Sequence, residues 1–203
     1  LNQEADTGAR DMRLVSESAI PEGDPVDVYV TKGHAYVVSL PRGTTEDGGL
    51  NVFNVADPAH PTLVTRVSLP NDNYWNGVWA KGDALYVASA NSGVVVFDIT
   101  DPANPQYVRA LPGGAINVHT VFVDGDRLYA MSPSPNGETL LFDVASPLEP
   151  QLLGRISVPR EAGVSYPHDA FAYQGRLYVN HTRTGYVVVD VTRPDVTPVL
   201  GTY

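Results

Sequence analysis

Apolar and polar positions along this chain fall into a pattern that returns four times. VVVFDITDPANP at 94–105 has relatives in LNVFNVADPAHP at 50–61, TLLFDVASPLEP at 139–150 and YVVVDVTRPDVTP at 186–198. Each is an apolar run closed by Asp or Asn and then a Pro-bracketed turn. The first prolines of these turns, Pro58, Pro102, Pro147 and Pro194, lie 44, 45 and 47 residues apart. Two shorter pieces precede every run. One alternates: VDVYV at 26–30, NGVWA at 76–80, HTVFV at 119–123 and HDAFA at 168–172. A turn with Gly33, Gly82, Gly125 or Gly175 leads to the other, AYVVS, LYVAS, LYAMS or LYVNH, anchored on Tyr36, Tyr86, Tyr129 and Tyr178. A fourth piece follows the Pro turn: TLVTRVSLP, QYVRALP, QLLGRISVP and PVLGTY.

Alternation predicts strands with one wet face, and a continuous apolar run predicts a strand buried on both faces. Pro confined to the connections removes no ladder hydrogen bond. Four strands per unit at a period of ~40–45 residues are the blades of a β-propeller. The predicted fold is therefore all-β, a propeller of four-stranded antiparallel blades, with units at about 22–70, 71–112, 113–159 and 160–203. Residues 1–11 read as an N-terminal extension. Residues 12–21, MRLVSESAIP, align with the fourth strand of the other units. A leading outer strand without its own first three strands predicts a piece of a larger propeller, or strands supplied from elsewhere.

The core VVVFD-IxDPxNP, with GxLYV upstream, resembles the LVIVD repeat family. The likeness is closest at 82–109 and 175–201 and extends over residues 12–203. The first unit departs from it by inserting LPRGTTEDGG at 40–49, and the third has Ser146-Pro147 in place of Asp-Pro. The resemblance implies a β-propeller of the kind found in secreted or surface-attached proteins of bacteria and archaea, and hence an extracellular or cell-surface location. It supplies no catalytic residues.

Composition narrows the partners. A net charge of -10 and few Lys argue against nucleic acid, which needs a basic patch, and against adsorption to anionic lipid. No run approaches the ~20 apolar residues of a membrane-spanning helix. The absence of Cys removes disulfides, thiolate catalysis and Cys-ligated metal. The one sequon, Asn180-His181-Thr182, matters only in a glycosylating host.

Candidate chemistry collects at one rim. In a propeller the first strand of each blade lines the central channel, so Val26, Asn76, His119 and His168 are predicted to ring its mouth, with Asp27, Gly77, Thr120 and Asp169 one position on. His181, in the loop after a second strand, is placed on the same rim as His168. His119, His168 and Asp169 form a candidate transition-metal site, since imidazole with carboxylate suits zinc, copper or iron. The alternative is a set of channel polar groups bonded to one another and to water. Calcium is the weaker candidate cation, because the recurring Asp98, Asp143 and Asp190, with Asn54, fit a turn-capping role better. Tyr74, Trp75 and Tyr166 are candidate ligand-stacking aromatics, with burial between blades as the rival reading. Trp79, aligned with Tyr29, Phe122 and Phe171, is predicted to be core. His34 and His60 read as surface residues in turns.

No G-x-S-x-G elbow or phosphate-binding loop is present. The first functional expectation is thus a non-catalytic propeller binding a protein or glycan through one rim. Its rivals are a metal-dependent hydrolase or oxidoreductase, and a structural subunit whose open blades pair with other propeller segments or subunits.

Overall fold

The computed structural model describes residues 13–43, 48–158 and 165–203. The extension at 1–11, the centre of the insertion at 40–49 and the boundary between the third and fourth units fall partly or wholly outside these residues. Four antiparallel sheets follow one another along the chain, each with its strands in sequence order. Blade 1 holds β1 (Asp24–Thr31), β2 (His34–Leu40), β3 (Gly49–Asn54) and β4 (Thr62–Val67). Blade 2 holds β5 (Trp75–Lys81), β6 (Ala84–Ser89), β7 (Gly93–Asp98) and β8 (Gln106–Leu111). Blade 3 holds β9 (Thr120–Asp124), β10 (Arg127–Ser132), β11 (Glu138–Asp143) and β12 (Gln151–Ile156). Blade 4 holds β13 (Pro167–Tyr173), β14 (Arg176–His181), β15 (Gly185–Asp190) and β16 (Val199–Thr202).

The core lies between the blades, in three separate layers. Successive strand residues point to opposite faces, so β6 sends Leu85 and Val87 toward blade 1 and Tyr86 and Ala88 toward blade 3. The first layer joins Tyr36, Val38, Leu50 and Val52 to Val78, Leu85, Val95 and Phe97. The second joins Tyr86, Val94 and Val96 to Val121, Leu128, Leu140 and Phe142. The third joins Tyr129, Met131 and Leu141 to Ala170, Leu177, Val187 and Val189. This is why Val94–Phe97 of β7 are apolar at every position: both faces of the strand are covered. At ~1.5–3 kcal/mol for each fully buried large apolar side chain, these layers outweigh any single turn or ion pair.

Local chemistry sets the connections. The residue closing each third strand caps the turn behind it, as expected. Asn54 Oδ1 accepts the Ala56 amide at 3.0 Å, Asp98 Oδ1 that of Thr100 at 2.7 Å, Asp143 Oδ1 that of Ala145 at 2.8 Å and Asp190 Oδ1 that of Thr192 at 2.9 Å. The Thr100 and Thr192 hydroxyls donate to the same oxygens, and these bonds hold the Asp98 and Asp190 carboxyls below the usual carboxylate range. At the start of the third strand, Gly49, Gly93 and Gly185 all have positive φ. A Cβ at Gly93 would sit 2.2 Å from the Leu111 carbonyl oxygen, so the outer strand can approach only where a side chain is missing.

Two further interactions repeat at the first two junctions. The Tyr36 hydroxyl donates to the Pro102 carbonyl at 2.9 Å and the Tyr86 hydroxyl to the Pro147 carbonyl at 2.7 Å, each reaching the Pro turn of the next blade. Lys32 pairs with Asp83, and Lys81 with Asp126, across the same junctions.

Residues 13–20 correct one expectation. They form no strand, although their pattern matches an outer strand. A strand needs a neighbour to share its ladder, and no described strand pairs with this segment. It lies instead beside blade 1, where Ser16 Oγ donates to the Pro58 carbonyl at 2.7 Å. The blades pack β1 on β5, β5 on β9 and β9 on β13, and no comparable packing joins β13 to β1.

Tyr86→Phe removes one inter-blade hydrogen bond from a buried position and is expected to cost ~1–2 kcal/mol in urea unfolding. Burial pushes the Tyr36 and Tyr129 phenols up to about 12, and the Tyr86 phenol up as well. A raised folded-state pKa gives stability that is full below the unfolded value of ~10 and is lost as pH rises from there. Tyr86→Phe should therefore unfold less steeply than wild type between neutral pH and pH ~11; parallel losses would refute the assignment.

Candidate functional site

The residues entering the first strands obey strict alternation, and this decides what the rim offers. Trp75, Val118 and the Pro167 ring are buried, while the residues on either side of each face outward to varying degrees. Tyr74, Asn117 and Tyr166 therefore occupy equivalent places two residues before Asn76, His119 and His168. Tyr74, Asn76, Asn117, His119 and Tyr166, with Ala90, Val118 and Pro133, line a rim pocket of about 510 Å³. Tyr74 and Tyr166 keep 44% and 37% of their surface exposed, enough to present ring area to a ligand.

A polar relay crosses blades 2, 3 and 4 beside this pocket. Asn76 Nδ2 lies 3.0 Å from His119 Nδ1 and donates to the His119 carbonyl at 3.1 Å. His119 Nε2 lies 3.0 Å from His168 Nε2, with the rings edge to face at a centroid separation of 4.4 Å. If Asn76 donates to Nδ1, then His119 must carry its proton on Nε2 and donate it to His168. A second proton on His119 would meet the Asn76 amide donor. Burial is the main cause holding His119 below the ordinary imidazole value, His168 adds to it, and Asp169 opposes it. Thr120 Oγ1 donates to the His168 carbonyl at 2.6 Å and fixes the blade 3–blade 4 spacing.

Three placements differ from expectation. Among the described residues no group of three or more His, Asp and Glu could hold a metal ion, so His119, His168 and Asp169 do not converge as a site. Asp169 follows His168 directly along the strand, and its Oδ1 accepts the amide of Ala170 at 2.9 Å. Trp75 is not a rim residue: it is fully buried, donates Nε1–H to Asp72 at 3.0 Å and packs edge-on to Phe97 at 5.7 Å. His181 is also buried, its Nδ1 2.6 Å from Ser165 Oγ, which accepts the Arg183 and Thr184 amides and so pins the loop after β14. Ser89 pins the equivalent loop of blade 2 by accepting the Asn91 and Ser92 amides. Both departures have one cause: each side chain meets a buried polar partner, Asp72 for Trp75 and Ser165 for His181.

Other residues divide as follows. Val26 is exposed beside the ring positions, His60 is exposed and bonded to Asp57, but His34 is buried with Nδ1 2.9 Å from the Lys32 carbonyl. Tyr29, Trp79, Phe122 and Phe171 form a ladder across the junctions at centroid spacings of 5.1, 4.8 and 5.4 Å, yet Phe171, the last rung, is 56% exposed. Asn117 was not singled out by residue type; its alignment with Tyr74 and Tyr166 is the signal that identifies it.

Four radially packed four-stranded sheets with this rim define the class as a β-propeller. The LVIVD repeat model matches residues 22–68 and 74–110, which span the first two blades. No curated protein matches the chain in sequence. Its backbone is similar to the computationally designed Ika4 protein, at 12% identity and a TM-score of 0.61 over 88% of this chain and 98% of that one. It is similar to the periplasmic gluconolactonase PpgL of Pseudomonas aeruginosa at 13% identity, a TM-score of 0.68 and coverage of 88% and 56%. It is also similar to the WD40 β-propeller domain of Doa1 at 12% identity, a TM-score of 0.60 and coverage of 92% and 55%. The chain thus spans little more than half of the last two. At these identities the likeness establishes the fold.

A depressed folded-state pKa at His119 means that the unfolded chain takes up protons first as pH falls below ~6.5, so stability declines in that window. His119→Gln should lose less of its melting temperature than wild type between pH 7.5 and pH 5. Equal declines would remove His119 as the sensitive group.

Proposed function

We propose that this chain is a non-catalytic binding module that takes an uncharged glycan at the rim pocket, in an extracellular or cell-surface setting. The observation that carries the reading is the meeting of two exposed phenol rings, Tyr74 and Tyr166, with the amides of Asn76 and Asn117 and the imidazole of His119 around one concavity. Aromatic faces suit the apolar faces of sugar rings, and a few fixed polar groups around an open pocket suit their hydroxyls. The net charge of -10 disfavours polyanionic glycans and leaves neutral ones. The blades hold these residues, and the contact between Asn76 and His119 ties together two of the polar groups that line the pocket. The gluconolactonase among the structural neighbours is an enzyme, but at 13% identity its activity gives no support for one here.

A screen of neutral oligosaccharides by calorimetry tests the proposal. Binding should weaken ~10-fold or more in Tyr74→Ala and Tyr166→Ala, with melting temperatures close to wild type because both rings are exposed. A panel that fails while peptides compete at Tyr74 would replace the glycan with a protein partner. The rival metal enzyme is tested separately by elemental analysis of protein purified without chelator. Well below one transition metal per chain is expected; one zinc, copper or iron per chain, lost in His168→Ala, would favour the rival.

A further inference from the structure

We infer that the rim pocket is one of two adjoining subsites, and that its ligand is a linear neutral oligosaccharide lying across the junction of blades 2 and 3. The inference rests on the glycan reading above and extends it. A second concavity of about 340 Å³ opens on the same rim, where the loop after β6, the approach to β9 and the loop after β10 meet. Its lining includes Asn91, Ile116, Asn117, Ser134 and Pro135. Ala90 and Asn117 line both concavities, and Pro133 of the first is followed directly by Ser134 of the second. The two therefore share a wall.

That wall carries an amide where the neighbouring blades place a ring. Asn117 stands at the position of Tyr74 and Tyr166, and its shorter side chain takes up less of the space between the concavities than a phenol would. The backbone around it is tied down. The Asn117 amide N–H donates to the Ser134 carbonyl at 3.3 Å, and the Ser132 hydroxyl lies 2.7 Å from the Asn117 carbonyl and 3.0 Å from that of Ser134. The Asn91 carbonyl accepts the Ile116 amide at 3.2 Å, and Asn91 Nδ2 donates to the Asn71 carbonyl at 3.0 Å, which leaves Oδ1 as an acceptor. Among the described residues, neither the Asn117 side-chain amide nor the Ser134 hydroxyl has a hydrogen-bond partner. Fixed backbone with free polar heads is a pre-organised arrangement, which lowers the ordering cost of binding.

The two subsites differ in chemistry. The first has the Tyr74 and Tyr166 rings, whereas the second is lined by no aromatic residue and offers two amides, a hydroxyl and the apolar surfaces of Ile116 and Pro135. Without a ring to stack on, a sugar unit there is held by hydrogen bonds once its neighbour is anchored between the tyrosines. No Asp, Glu, Lys or Arg lines either concavity, so both units are uncharged. Each volume lies in the lower half of the ~300–1,000 Å³ range of ligand sites, so a ligand that uses both is longer than one that fills either. A second unit linked to the first is delivered at high effective concentration, and affinity should climb with chain length.

Calorimetry on the full chain with glucose, mannose and galactose, and with their 1,4-linked di-, tri- and tetrasaccharides, tests the inference. In one series or more, affinity should rise ~10-fold or more from monosaccharide to trisaccharide and then level off. Ser134→Ala should lower trisaccharide affinity ~3–10-fold and leave the monosaccharide as in wild type. Ala115→Arg, which puts a long side chain at the lip of the second concavity, should remove the whole gain with length. Both positions are exposed, so melting temperatures should match wild type. Tyr74→Ala should weaken binding at every length. Affinity that does not grow with length overturns the second subsite, as does a trisaccharide bound equally by wild type, Ser134→Ala and Ala115→Arg. In either case the first pocket keeps its reading when Tyr74→Ala still weakens the monosaccharide. No binding at any length in any series overturns both.

Discussion

Every blade of this protein must have both faces covered, and the rest of the structure depends on that constraint. A single four-stranded sheet here is apolar on its two sides: β7 and β11 have no solvent-facing position before their last residue. Such a sheet gains its stability only by stacking, so burial between neighbours, and not within a sheet, is the dominant favourable term. The tyrosine–carbonyl bonds and Lys–Asp pairs at the junctions contribute less energy. They set the angle and spacing at which the apolar layers meet.

That spacing is what creates the rim. Because blades 2, 3 and 4 pack at fixed separation, the residues entering their first strands come within hydrogen-bond distance although they lie 43 and 49 residues apart. Asn76, His119 and His168 share no local sequence context, and their relay is a by-product of radial stacking. A scaffold held by buried layers can vary such rim residues at little cost in stability, which is why binding function concentrates there.

The same constraint explains the ends. In the middle of the chain each apolar face has a neighbour, whereas the exposed valines of β1 and the exposed Phe171 and Tyr173 of β13 lie on faces that no described blade covers. Ser16 on the Pro58 carbonyl shows one way of meeting the need locally: a hydroxyl from a leading segment stands where internal junctions place a tyrosine. Residues 13–20, patterned as an outer strand, pair with no described strand.

The sequence alone determined the blades. The repeat of Gly turn, Tyr strand, apolar strand and Pro turn names each element, and the capping role of Asp98, Asp143 and Asp190 follows from their place before the turn, because strand alternation and turn chemistry are local. The rim was legible in part: Asn76, His119 and Tyr74 could be ranked from the register of the first strands. Only the tertiary structure decided that Trp75 and His181 turn inward. Both sit at strand ends, Trp75 opening β5 and His181 closing β14, and both are held by buried partners, Asp72 and Ser165, that precede them by 3 and 16 residues. Asp169 shows the same limit: its neighbour His168 joins the relay, but a carboxylate one residue along a strand is carried toward its own backbone, and no spacing in the sequence brings it back.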